Sequence, residues 1–309
     1  MPGPVGAQPE TPRYHLSVAL ALRVARTIRR NGLTTPHSCG GTAEDRVRYE
    51  YEGATRFLDN MAEHLPKEFF KDRDVLDVGC GWGGKLIYYS EHTGMRSIKG
   101  FDLPGYDLAV ACEFAASKGV ANCEFHHGDA ERIAYGDGTF DIVITEDVLE
   151  HVQTPLAVVA ECHRVLKAGG TLIAIFPSFK QANAHHLDRA INLPGLHYLL
   201  SMKTWASGLN YYLRASDSAG PGWTAFLRVV RTPYSTVTSD LNGMGFTDFE
   251  ALVRETDFEM QILKLVPRAY GEGRPLFRRA YDFLYRLPFL REFLADHIIF
   301  IGRKPSLSS

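Results

Sequence analysis

No run of about 18 unbroken apolar residues occurs in this 309-residue chain, so the sequence offers no transmembrane helix. Cysteine is scarce and unpaired in pattern. The five, at positions 39, 80, 112, 123 and 162, form no C-x-x-C pair and are odd in number. Reduced thiols in a cytoplasmic protein are the simplest reading. There is little excess of either charge: 34 Lys and Arg against 36 Asp and Glu leave a net −2, which gives no sign of a nucleic-acid binder. Internal repeats and low-complexity tracts are absent. The Pro- and Gly-rich stretch from Met1 to Pro12 lacks the apolar segment of a signal peptide and reads as a disordered tail. What is present is an ordinary globular composition, 45% hydrophobic and 23% charged, with ample length for a large core.

The early chain has helical periodicity. Leu16, Leu20, Val24 and Ile28 form an apolar stripe with arginines mostly off it, and Asn31-Gly32 ends the pattern. A second helix is expected from Glu44 to Glu63, stopped before Pro66. Strand and helix then alternate. Strands are expected at Val75–Val78, Ser97–Phe101, Cys123–His127, Phe140–Thr145 and Thr171–Phe176. Helices are expected at Gly84–His92, Tyr106–Lys118 and Leu156–Leu166, the last stopped by Gly169-Gly170. That order predicts an α/β, doubly wound, Rossmann-like sheet with helices on both faces. Pattern weakens from Pro177 to about Tyr234. A helix at Ser235–Met244, a strand at Phe246–Arg254, a helix around Leu276–Leu287 and a last strand at His297–Arg303 follow. The boundaries read as a tail (1–13), an N-terminal helical cap (14–66), a core (67–180), a lid inserted after the fifth strand (181–235), and the end of the sheet with a helical insertion (236–309).

The stretch DVLDVGCGWGGKL, Asp74 to Leu86, runs from a strand through Gly79, Gly81, Gly83 and Gly84 into a helix. Such a turn lets a ligand approach the backbone and offers free N–H groups. Dinucleotides and S-adenosylmethionine both fit, because Gly79, Gly81 and Gly84 satisfy G-x-G-x-x-G. A tight turn without a ligand fits as well. The flanking residues discriminate. Asp77 would repel a pyrophosphate and suits a cationic ligand end. Asp102 closes the second strand, where an acidic side chain accepts from ribose hydroxyls. Asp129-Ala130 follows the third strand, where a carboxylate could accept an adenine amino group.

With "VLDVGCGWGG", "GFD", "GDAERIAYGDGTFDIVITEDVLEHV" and "ECHRVLKAGGTLIAIFP" in order, the chain from about Val75 to Pro177 resembles the class I S-adenosylmethionine-dependent methyltransferases. The likeness is strongest to the small-molecule subgroup that includes ubiquinone and menaquinone methyltransferases. The resemblance implies a seven-stranded sheet with the last strand antiparallel. It places Asp77, Gly79, Cys80 and Gly81 around the methionine portion, Asp102 and Leu103 at the ribose, Asp129 and Ala130 at the adenine, and Glu146 against the cofactor. Tyr49 or Tyr51 would close over the methionine end. Cys80 is not read as a nucleophile.

Transfer to a hydroxyl, thiol or acidic carbon needs a base at the rim of the fourth and fifth strands. His185, His186 and His151 are the candidates; as alternatives, they cap or decorate helices. Asp147, Glu150 and His151 stand at i, i+3, i+4, one face of a helix, and with His186 could hold a divalent metal. Ubiquinone O-methyltransferases and small-RNA 2′-O-methyltransferases carry a similar Glu-x-x-Glu-His, but E-H also follows the fourth strand in relatives without metal. The Pro-Pro-Tyr signature of nitrogen methyltransferases is replaced by "TEDV". The expectation is a small, hydrophobic or aromatic acceptor methylated at oxygen or carbon. An RNA ribose methyltransferase, a non-catalytic cofactor-binding protein and a nicotinamide-dependent reductase are the alternatives. Oligomeric state is open, with a homodimer admitted.

Overall fold

A computed structural model describes residues 42–182, 184, 195–199, 201, 204, 241–268 and 275–306. The chain divides into two compact units. One comprises residues 1–38 and 185–239, the other 39–184 and 240–309. The expected tail, the first cap helix, and nearly all of the lid fall outside the described residues.

In the larger unit, α1 (Ala43–Gly53) and α2 (Thr55–Ala62) precede β1 (Asp74–Val78). Then come α3 (Gly84–Thr93), β2 (Ser97–Asp102), α4 (Leu108–Ser117), β3 (Cys123–His127), β4 (Phe140–Glu146), α5 (Pro155–Val165) and β5 (Leu166–Phe176). The four-residue helix α6 (Leu196–Leu199) belongs to the smaller unit. The larger unit resumes with α7 (Phe246–Arg254), β6 (Glu259–Pro267), α8 (Pro275–Tyr285), α9 (Pro288–Leu294) and β7 (Ala295–Arg303). The sheet has seven strands in the order β3-β2-β1-β4-β5-β7-β6. The first five pair in parallel, and β7 lies antiparallel to both β5 and β6. The order turns back at β1 and β4, so the chain leaves these neighbouring strands in opposite directions and opens a crevice at their carboxyl ends.

Strand alternation sorts the core into two layers. Leu76, Val78, Val143, Leu172 and Ala174 face one side, with Phe176, Phe249 and Phe300. Val75, Ile142, Ile144, Ile173 and Ile175 face the other, against Phe57, Met61 and Tyr89. Asp77 shares the parity of Val75 and so enters this second apolar layer.

Several boundaries depart from expectation for identifiable reasons. The single helix at 44–63 is two, because the Ala54 N–H bonds back to the Tyr51 carbonyl and tightens the turn there. Residues 241–245 are not helical. The segment expected as a strand at Phe246–Arg254 is helix α7. Its buried Phe249 and Val253 are four apart, and the Asp248 carboxylate accepts the Gly245 N–H at 2.9 Å, closing the helix start. The strand missed by pattern is β6, only partly buried along its length. Gly169 and Gly170 do not stop a helix; they lie inside β5, where the pairing jumps from Phe140 opposite Leu166 to Ile142 opposite Thr171.

Candidate active site

The glycine turn is shaped as much by the protein as by any ligand. Gly79, Gly81 and Gly83 all have positive φ, which a side chain would strain. A Cβ at Gly79 would strike the Val148 side chain, and one at Gly84 would strike the backbone of Val47 in α1. The N–H groups of Gly79 and Cys80 both donate to the Phe101 carbonyl, at 2.9 and 3.0 Å. The turn is thereby tied to the end of β2.

Four acidic residues stand at the carboxyl ends of four adjacent strands. Asp77 is 4% exposed at the end of β1, and burial pushes its carboxyl up to about 8; Lys85 opposes this shift, whereas Glu146, Asp102 and Glu50 add to it. Asp102 ends β2. Its two oxygens accept the Gly81 and Leu103 N–H groups, each at 2.7 Å, and burial raises its pKa despite those bonds. A carboxylate has about four acceptor sites, so roughly two are left for a ligand's hydroxyls. Leu103 beside it is 58% exposed. Asp129, after β3, is exposed and accepts the Glu131 N–H at 2.9 Å, while Ala130 packs on the core. Glu146 ends β4. Its carboxylate meets the Lys85 ammonium at 3.0 Å and accepts the Tyr89 hydroxyl at 3.2 Å.

Cys80 is buried, and burial together with Asp77 and Asp102 drives its thiol far above the ordinary range, which excludes a thiolate. Trp82 meets Tyr106 edge to face, with the Arg46 guanidinium 5.1 Å from its ring centre. The Tyr51 hydroxyl donates to Glu91, and its ring packs on Tyr88 and Phe114. Tyr49 is half exposed. It is the residue between them, Glu50, that reaches the turn. Its carboxylate accepts the Trp82 and Gly84 N–H groups, each at 3.1 Å, and so caps the start of α3. Burial pushes Glu50 up to about 7 against the pull of those N–H groups and Lys85. Periodicity could not single out Glu50, because it is one acid among several on α1.

The segment after β4 corrects the helical spacing behind the metal expectation. Residues 147–151 form a turn, not a helix, with Asp147 at a φ of 58°, so the i, i+3, i+4 argument does not apply. Among the described residues no three His, Cys, Asp or Glu side chains are grouped to hold a metal ion. Glu150 is buried, and the His151 ring lies 3.7 Å from its carboxylate. Asn242 fastens this turn: its amide donates to the Leu149 and Val152 carbonyls at 2.7 and 2.9 Å, and its N–H to the Glu150 carbonyl. His185 and His186 lie outside the described residues. A concavity lined by His64, Phe69, Arg73, Asp141 and Lys167 sits at the opposite edge of the sheet, where its charges pair with one another.

An arc of acceptors around a glycine turn, with a buried carboxylate at its centre, has the chemistry that a nucleoside with a cationic end requires. Comparison agrees. A methyltransferase-domain family model matches residues 76–174. Demethylmenaquinone methyltransferase of Shouchella clausii is 31% identical over 169 residues, covering 50% of this chain and 70% of the relative. Norajmaline N-methyltransferase of Rauvolfia serpentina is 33% identical over 106 residues, covering 34% of this chain and only 36% of the relative's length. A chain of a methyltransferase–activator complex from Haloferax volcanii shares the fold at 13% identity, with a TM-score of 0.51 over 84% of this chain and 94% of that one. The chain belongs to the class I S-adenosylmethionine-dependent methyltransferases. The family's cofactor fits the residues present: Asp102 and Asp129 can accept but not donate, as a ribose diol and an adenine amino group require, and buried Asp77 favours a positive neighbour. No helix among the described residues is long and apolar enough to cross a membrane.

Proposed function

We propose that this protein transfers a methyl group from S-adenosylmethionine to a small, hydrophobic or aromatic molecule, at oxygen or carbon. The acidic arc Asp77, Asp102, Asp129 and Glu146, on four neighbouring strand ends, carries the reading. Relatives named for demethylmenaquinone and norajmaline support a small acceptor.

When bound, the cofactor supplies a methyl group already activated by its sulfonium. The chain's task is then mainly alignment, which in favourable cases contributes about 7–11 kcal/mol. Asp102 holds the ribose, Asp129 and Ala130 flank the adenine, and Gly79 to Gly81 leave room for the methionine portion. His151, on the turn after β4, is the base candidate among the described residues. His185 and His186 are the others. A base contributes roughly 10²–10⁴-fold when the acceptor must lose a proton.

Isothermal titration should show saturable binding of S-adenosylmethionine and S-adenosylhomocysteine. Label from the methyl group should then pass to at least one member of a panel of quinols, phenols and acidic-carbon compounds. Binding of a nicotinamide dinucleotide without binding of either sulfur nucleoside would refute the proposal.

A further inference from the structure

Lys85 is placed where a helix of this kind has least need of a cation. It occupies the first turn of α3, whose N-terminus already carries partial positive charge. Its side chain is turned to the acidic strand ends instead, with Nζ 3.0 Å from a Glu146 oxygen. Around it lie Glu146, Asp147, Glu50 and Asp77, all in electrostatic contact with it. Burial alone would lower its pKa, but these carboxylates outweigh burial and hold the ammonium charged. The ion pair is not sealed into the core: the Lys85 and Glu146 side chains keep 28% and 18% of their surface exposed.

The ligand's charges explain why such a residue is needed. The amino-acid end of S-adenosylmethionine carries an ammonium and a carboxylate beside the sulfonium. Four carboxylates suit the two cations and repel the one anion. The basic side chain of Lys85 among them gives that anion a partner. Glu146 can release Lys85 without losing its place, because its other oxygen holds the Tyr89 hydroxyl at 3.2 Å.

We infer that Lys85 binds the carboxylate of the cofactor's amino-acid end, exchanging its Glu146 partner for it and leaving Glu146 to face the ammonium. The inference rests on the methyltransferase reading above. Decarboxylated S-adenosylmethionine tests it, since that molecule keeps the nucleoside, sulfonium and ammonium and lacks only the carboxylate. In titrations with the wild-type protein it should bind about 10- to 100-fold more weakly than S-adenosylmethionine, the scale of one charge-assisted hydrogen bond. Lys85→Met should weaken S-adenosylmethionine by a similar factor and bring the two ligands within about twofold of each other, while Lys85→Arg keeps most of the discrimination. Lys85→Gln provides the same comparison if the Met variant does not fold, with thermal unfolding as the check. Equal binding of the two ligands by the wild type overturns the inference, as does discrimination that survives the loss of the charge. Failure of the wild type to bind either ligand would remove the methyltransferase reading itself.

Discussion

Proton release on cofactor binding is the most exacting test of the acidic site. Asp77 sits in an apolar layer, and burial pushes it up to about 8 in the free protein. An Asp in an unfolded chain titrates near 4. Between those values the native state therefore holds a proton that the unfolded state has given up. Folding stability falls as pH rises across that window, at up to about 1.4 kcal/mol per unit. A cation beside Asp77 favours the ionised carboxylate, so binding expels the proton. Apparent affinity should then rise with pH by up to about tenfold per unit, or roughly 30-fold from pH 5.5 to 7.0. That range lies below the titration of the ligand's own α-ammonium, about 7.7–8.0. Calorimetry in two buffers of different ionisation enthalpy would count the proton directly. Glu50, raised to about 7, adds to the slope, so Asp77→Asn should reduce the slope rather than abolish it. The same variant should make the ligand-free protein more stable at pH 8. A flat affinity profile with no proton released would refute the assignment of Asp77 to the cationic end.

Three further outcomes are expected. Asp102→Ala should weaken S-adenosylhomocysteine by about 1.5–3 kcal/mol, read by titration, because it removes a charged acceptor and frees the Gly81 and Leu103 N–H groups. Gly79→Ala should lower the midpoint of thermal unfolding, since positive φ and the collision with Val148 must both be relieved; an unchanged midpoint would contradict the described turn. Asp296 is held well below the usual carboxylate range: burial alone would raise it, but bonds and charges from His297, Arg56 and Arg268 prevail. Its contribution is present above about pH 4 and lost as pH falls through its depressed native value, so Asp296→Asn should destabilise the protein at pH 7 and flatten its acid unfolding curve.

The sheet was legible because its signals are local. β1, β4 and β5 each hold a short apolar run, and the glycine turn announces the first crossover. Past Phe176 the signals become long-range. Strand β6 is only partly buried and pairs with β7, from Pro267 opposite Ala295 to Glu259 opposite Arg303, so no local alternation marks it. Phe246–Arg254, expected as a strand, is helix α7, and the three- and four-residue spacing of Phe246, Phe249 and Val253 is what carries the helical signal. In the site, Asp77, Asp102 and Asp129 could be named because each ends or follows a strand of its own. Glu50, Lys85 and Asn242 could not, since each matters through a partner 32 or more residues distant. The helix spacing behind the metal set does not hold, because Asp147 adopts a left-handed turn, and His186 of that set lies outside the described residues.

The bond from Glu50 to the Trp82 and Gly84 N–H groups bears on where this protein can be cut. The family match begins at residue 76, yet the start of α3 borrows its anion from residue 50. A fragment trimmed to the matched region would expose the backbone of that helix to water and lose the carboxylate that organises it. The shortest piece worth expressing begins before Thr42, whose side chain caps α1, and keeps β7, the strand that joins β5 to the edge strand β6.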